Sequence, residues 1–80
     1  MRLDQYLSRV GIIKRRSVAK DMADNGLVKA NGNRSKPSYN IKIGDIIQIG
    51  GNRPVTVEII NIPAGNVKKE IRPEYFKILD

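Results

Sequence analysis

Up to Gly26 the apolar residues of this chain recur every three or four positions, and beyond it they alternate or run in short strips. That change of period separates a helical part from a stranded part. In the first part Leu3, Tyr6, Leu7 and Val10 follow the i, i+3, i+4, i+7 spacing of one helix face over residues 2–10. Gly11 ends this helix, since glycine tolerates the left-handed cap conformation. A second helix is predicted over about 15–25, with Val18, Ala19, Met22 and Ala23 facing inward and Gly26 as its stop. The small Ala19 and Ala23 let the two helices approach closely.

After Gly26 the pattern reads as strands. Leu27, Val28, Lys29 and Ala30 form a short one, and Asn31-Gly32 is a strong hairpin signal because both turn positions need positive φ. The return strand is placed at about 33–36, where Pro37 stops it. Ile41 and Ile43 alternate around Lys42, and Gly44-Asp45 makes a turn. Ile46, Ile47, Gln48 and Ile49 read as a buried strand, and 55–62 as the longest strand, broken by Pro63 to Asn66. The tail carries Ile71, Tyr75, Phe76, Ile78 and Leu79, which fit a packed helical turn or a strand equally well. The fold class is α+β: two packed helices followed by a small, mostly antiparallel sheet of four to five strands, without βαβ crossovers. Residues 1–62 form the domain, and 63–80 an extension that packs on it or is partly flexible.

The chain of 80 residues supports one domain with a thin core, burying only about 60% of its unfolded surface. It contains no cysteine, so neither disulfides nor a thiolate zinc site reinforce it. It contains no histidine either, which removes the usual general base, the commonest metal ligand and every Ser-His nucleophile arrangement. The carboxylates are scattered. No catalytic residue, metal ligand or cofactor is assigned, and the chain is read as not an enzyme. No apolar run approaches the roughly 20 residues of a membrane span, and no signal-peptide stretch opens the chain. A cytoplasmic location without membrane contact is expected.

The formal charge is +7, and its placement is uneven. Residues 1–36 hold nine cations against Asp4, Asp21 and Asp24, and residues 37–80 hold six against five anions. A basic field of this kind attracts polyanions. Its centre is Lys14, Arg15, Arg16, Ser17, Val18, Ala19 and Lys20. On a helix Arg16 and Lys20 share a face, with Arg9 near them across the turn. The helix start adds a partial positive charge and unpaired N–H groups that favour phosphate. Against a merely solvated helix face, the charge asymmetry, the helix-start position and three consecutive cations favour phosphate binding. Asn31-Gly32 and Gly44-Asp45 read as turn chemistry, and Tyr6 as core. Tyr39 is an ordinary loop tyrosine or a platform for a base. Asp4 orients Arg2, orients an arginine of the second helix, or favours the first helix's N-terminus; the sequence leaves all three open.

The runs from Met1 to Leu7, Ile13 to Lys20, Gly26 to Gly32, Lys36 to Ser38 and Ile43 to Ile47, in this order and spacing, resemble the S4-type RNA-binding domain. The resemblance covers residues 1 to about 50. It implies the helix-pair-plus-hairpin arrangement called the αL motif, with a basic face turned toward structured RNA. Carried over by position, the RNA-binding set is Arg2, Arg9, Lys14, Arg15, Arg16, Lys20 and Lys36, with Asp4 as organiser. Many members fuse this domain to a pseudouridine synthase, a tRNA synthetase or a methyltransferase, and 80 residues leave no room for one. Heat-shock ribosome-binding members carry a longer basic tail, whereas residues 63–80 here are close to neutral.

Among stand-alone members, the start at Met1-Arg2-Leu3-Asp4 and the short length look most like those of ribosome quality control. That likeness implies binding rRNA and tRNA on the large ribosomal subunit. There the protein would stabilise peptidyl-tRNA on obstructed subunits while a partner quality-control factor adds C-terminal alanines. A monomer is the default. Three alternatives stay open: an S4 factor for free tRNA or a maturing subunit, a basic adaptor meeting an acidic protein, and a DNA-binding protein, since phosphate contacts alone do not distinguish the polymers.

Overall fold

The computed structural model describes residues 1–79. Helix α1, Leu3–Arg9, has no side-chain cap. Its first N–H groups find other acceptors, as a helix start requires. Leu3 N–H donates to the Tyr39 carbonyl (2.8 Å) and Asp4 N–H to the Pro37 carbonyl (3.1 Å), while Gln5 N–H donates to Asp4 Oδ1 (2.8 Å). The helix entrance is thus built on the loop that follows the hairpin. Gly11 closes α1 at φ +77°.

Helix α2, Arg16–Asp24, buries Ala19 and Ala23 against α1 and half-buries Met22. Val18 does not point inward as expected, being 43% exposed. At about 100° per residue, the inward stripe defined by Ala19, Met22 and Ala23 leaves Val18 roughly a quarter-turn away.

Strand β1, Val28–Ala30, turns at Asn31 (φ 54°) and Gly32 (φ 87°) into β2, Asn33–Arg34. The return strand is shorter than expected. Ser35 N–H still bonds the Val28 carbonyl, but Lys36 already belongs to a turn in which its carbonyl accepts from Tyr39 N–H (3.1 Å). Of the Ile41/Ile43 pair only Ile41 is buried, and Ile43 is 64% exposed. The reason is a tight turn in which Asp45 N–H bonds the Lys42 carbonyl, and Asp45 Oδ2 accepts from Lys42 N–H.

Strand β3, Ile46–Ile49, lies between β1 and β4, Val55–Ile59. The expected strand over 55–62 stops at Ile59, because the N–H groups of Ile60 and Asn61 both turn to the Tyr75 carbonyl. The tail uses both conformations left open by its sequence. A 3-10 helix, Lys69–Glu74, leads into β5, Phe76–Ile78, which pairs antiparallel with β4. Within the extension assigned to 63–80, Asp80 lies outside the described residues.

The sheet order is β2-β1-β3-β4-β5, antiparallel throughout. Its inner face presents Val28, Ile47, Ile49, Val57 and Ile59, which pack with Leu3, Tyr6, Leu7 and Val10 of the α1 segment and the two alanines of α2. Each large side chain buried there contributes about 1.5–3 kcal/mol. The helical pair therefore covers one sheet face and turns its polar side outward.

Candidate nucleic-acid interface

Asp4 sits at the centre of that polar side and is only 2% exposed. A buried carboxylate is stable only when charge and hydrogen bonds offset its desolvation. Here Oδ1 accepts from Gln5 N–H (2.8 Å) and from Arg2 Nε (3.1 Å), and Oδ2 accepts from Arg2 Nη2 (3.2 Å). Arg16 Nε of α2 forms an ion pair with Oδ2 at 3.5 Å. The alternatives for Asp4 are therefore combined in one group: it engages Arg2, it engages Arg16, and it satisfies an N–H in the first turn of α1. Both guanidiniums stay about half exposed, positioned from beneath with edges open to solvent.

Arg16 also lines an open polar groove of about 360 Å³ with Ser8, Arg9, Lys14, Asn66, Val67 and Arg72. Arg9, Lys14 and Arg16 thus come together as expected. Arg15 is exposed at the α2 N-cap position, where no side chain caps the helix. Lys20 lies one turn beyond Arg16 on α2, outside the residues that line this groove, with its Nζ paired to Asp24 Oδ2 (3.3 Å). Lys36 is exposed and lines a second depression with Ala23, Asp24, Arg34, Ser35 and Pro37. Arg34 Nη2 donates to the Asp24 carbonyl there (2.8 Å). The Pro37 carbonyl that holds Asp4 N–H links this end of the face to the Asp4 centre.

Two cations escaped sequence reasoning. Arg34 had a signal, a position in the hairpin two residues before Lys36. Arg72 had none, since only the return of the tail along β4 brings it to the helices.

Behind the face, Asp45 has a structural task beyond its turn. Its Oδ1 accepts from Asn31 Nδ2 (3.0 Å), and its Oδ2 from the Tyr39 hydroxyl (2.8 Å) and Lys42 N–H (2.9 Å). Burial alone would raise this carboxyl, but the bonds from Asn31, Lys42 and Tyr39 outweigh it and hold it below its ordinary value. The bond to Asp45, with some desolvation and the carboxylate charge, raises the Tyr39 phenol. The Tyr39 hydroxyl is thereby committed to tying its loop to the hairpin turn.

The model of the S4 domain matches residues 1–47, which hold α1, α2, the hairpin and every residue of the Asp4 cluster. This chain belongs to the S4 domain family. A Listeria innocua protein called RQC P-site tRNA stabilizing factor is 44% identical over 99% of this chain and 86% of its own length. A Bacillus subtilis protein of the same name is 40% identical over 99% of this chain and 92% of its own. The trimeric structure of Vibrio cholerae heat shock protein 15 superposes with a TM-score of 0.90 at 30% identity, covering 99% of this chain and 81% of the other. Beyond residues 1–47, the S4 domain here is extended by β4, the 3-10 helix and β5. Among the described residues, no group of three or more histidine, cysteine, aspartate or glutamate side chains could hold a metal, and no helix is long and apolar enough to cross a membrane.

Proposed function

We propose that this chain is a non-catalytic, monomeric RNA-binding factor of the cytoplasm. It docks on the large ribosomal subunit, contacts rRNA and tRNA there, and steadies peptidyl-tRNA on obstructed subunits during ribosome-associated quality control. A partner factor adds alanines to the stalled chain meanwhile. The observation that carries this reading is the pair of arginines, Arg2 and Arg16, held by one buried carboxylate beside a cationic groove. Guanidiniums fixed in this way meet phosphates at a set spacing, which suits recognition of a folded RNA's shape rather than of its bases. The relatives named as P-site tRNA stabilizing factors support the choice of tRNA over other polyanions. Residues 1–62 form the RNA-binding unit in this reading, with 63–80 as an extension braced against it.

The test compares cosedimentation with large subunits carrying peptidyl-tRNA, with empty large subunits and with free tRNA. Preference for the first is expected, and Arg16→Ala is expected to weaken it about tenfold without unfolding the half-exposed site. Equal binding to free tRNA would transfer the role to tRNA itself. Salt-resistant retention on a protein after nuclease treatment would make the chain an adaptor instead.

A further inference from the structure

Arg72 belongs to the 3-10 helix Lys69–Glu74, outside residues 1–47, yet its side chain crosses to the helical layer. A Cβ placed on Gly11 would lie 2.7 Å from its Nη1, 2.8 Å from Cζ and 2.9 Å from Cδ. The guanidinium and its stem therefore rest against the backbone of Gly11, where the absent side chain gives them room. From there Arg72 forms one wall of the groove whose other cations are Arg9, Lys14 and Arg16. No carboxylate lines that groove. Arg16 is shared with Asp4, whereas Arg9, Lys14 and Arg72 form no ion pair among the described residues. The Arg72 Nε is moreover buried with no hydrogen-bond partner among them. Arg2 and Arg34 anchor themselves to a carboxylate and a carbonyl, but Arg72 keeps its charge uncompensated while packing holds it in place. Four cations whose one counter-charge among the described residues is the Asp4 carboxylate, reached through Arg16 alone, repel one another and are stabilised by an anion seated among them.

We propose that Arg72 is an RNA-binding residue, and that with Arg9, Lys14 and Arg16 it forms a subsite for the phosphodiester backbone built jointly by the helical pair and the C-terminal segment. This rests on the RNA-binding reading above and adds the C-terminal segment to the binding face. Gly11 is the structural condition for it, because any larger residue displaces the Arg72 head.

The experiment measures binding of the full chain to bacterial large subunits loaded with P-site tRNA, as a function of salt. Arg72→Gln keeps most of the stem and is expected to weaken binding about five- to twentyfold near 0.1 M salt and to lower the log–log salt slope by about one. Arg72→Lys is expected to restore the slope but not the whole affinity, since lysine lacks the planar fork. A purely structural strut would lower thermal stability without moving the slope. Arg72→Gln with wild-type affinity and slope, while Arg9→Gln weakens binding, would overturn the subsite and leave the functional reading intact. Absence of binding by the wild type would instead overturn the functional reading. In that case titrating nitrogen-15-labelled wild type with purified tRNA still decides the subsite: the Arg72 Nε–Hε signal must shift if phosphate seats there, and an unmoved signal rejects it.

Discussion

Asp4 is an anion at the centre of a cationic face, so charge and geometry make opposite demands on it. By charge alone, removing it would strengthen the hold on a polyanion. By geometry, an asparagine keeps one acceptor oxygen, enough for Gln5 N–H, but replaces the other with an NH2 group, so the Arg2 fork and Arg16 lose the second acceptor that holds them together. The geometric effect is expected to win, because a mobile arginine must be ordered again on binding. Asp4→Asn should therefore bind tRNA-loaded subunits about three- to tenfold more weakly, although the chain is more positive by one unit, and lose about 1–2 kcal/mol in urea unfolding. Tighter binding would show that charge rather than placement governs the face. Asp45 supplies a pH-dependent counterpart. Its folded pKa lies below the unfolded value, so its contribution is complete above the unfolded pKa and is lost as pH falls through the folded one. Asp45→Asn places an amide N–H where an acceptor is needed, and should flatten the melting-temperature profile below about pH 4. An unchanged acid limb would assign that slope to other carboxylates.

At the scale of elements, the helices were legible because burial imposes one period on each: Leu3, Tyr6, Leu7 and Val10 all reach the core. Asn31 and Gly32 were legible because positive φ at two adjacent positions selects few residue types. Val18 was misread because apolarity shows that a residue can be buried, and only helix angle shows whether it is. Val18→Ser should thus stay within about 0.5 kcal/mol of wild type, while Ala19→Leu, wedged between the helices, should cost about 1–3 kcal/mol in denaturant unfolding. The end of β4 was illegible because it depends on a distant residue. The Tyr75 carbonyl draws in Ile60 and Asn61 and also accepts the Tyr6 hydroxyl (2.7 Å), tying α1, β4 and the tail at one atom. Tyr6→Phe leaves that carbonyl its two backbone donors, so its cost should be near the lower end of the range, about 0.5–1.5 kcal/mol. Burial pushes the Tyr6 phenol upward in the folded state. The wild type should therefore lose stability as pH rises above about 10, and Tyr6→Phe should lack that part of the loss.

At the scale of the whole molecule, the surplus charge of residues 1–36 is not the same thing as a charged face. Lys29 belongs to that half, but its register opposite Gln48 puts it on the sheet surface that looks away from the helices. Lys77, opposite Glu58, lies on the same outer surface. Arg72, from the other half of the chain, stands among the helical cations. The molecule measures 29 × 24 × 24 Å, against a screening length of about 10 Å at 0.1 M salt. Charges on its two sides are therefore felt almost independently by a bound polyanion. Two double variants of equal net charge separate position from total: Arg9→Gln with Lys14→Gln in the groove, and Lys29→Gln with Lys77→Gln on the outer surface. The groove pair should lower the salt slope of subunit binding by about two and the affinity by at least tenfold, while the outer pair should leave both within about twofold. Equal losses from the two pairs would mean that RNA responds to net charge or wraps both surfaces, and the Asp4-centred face would no longer be the interface. Unequal losses in the expected direction would tie binding to the surface where the helical pair and the tail meet.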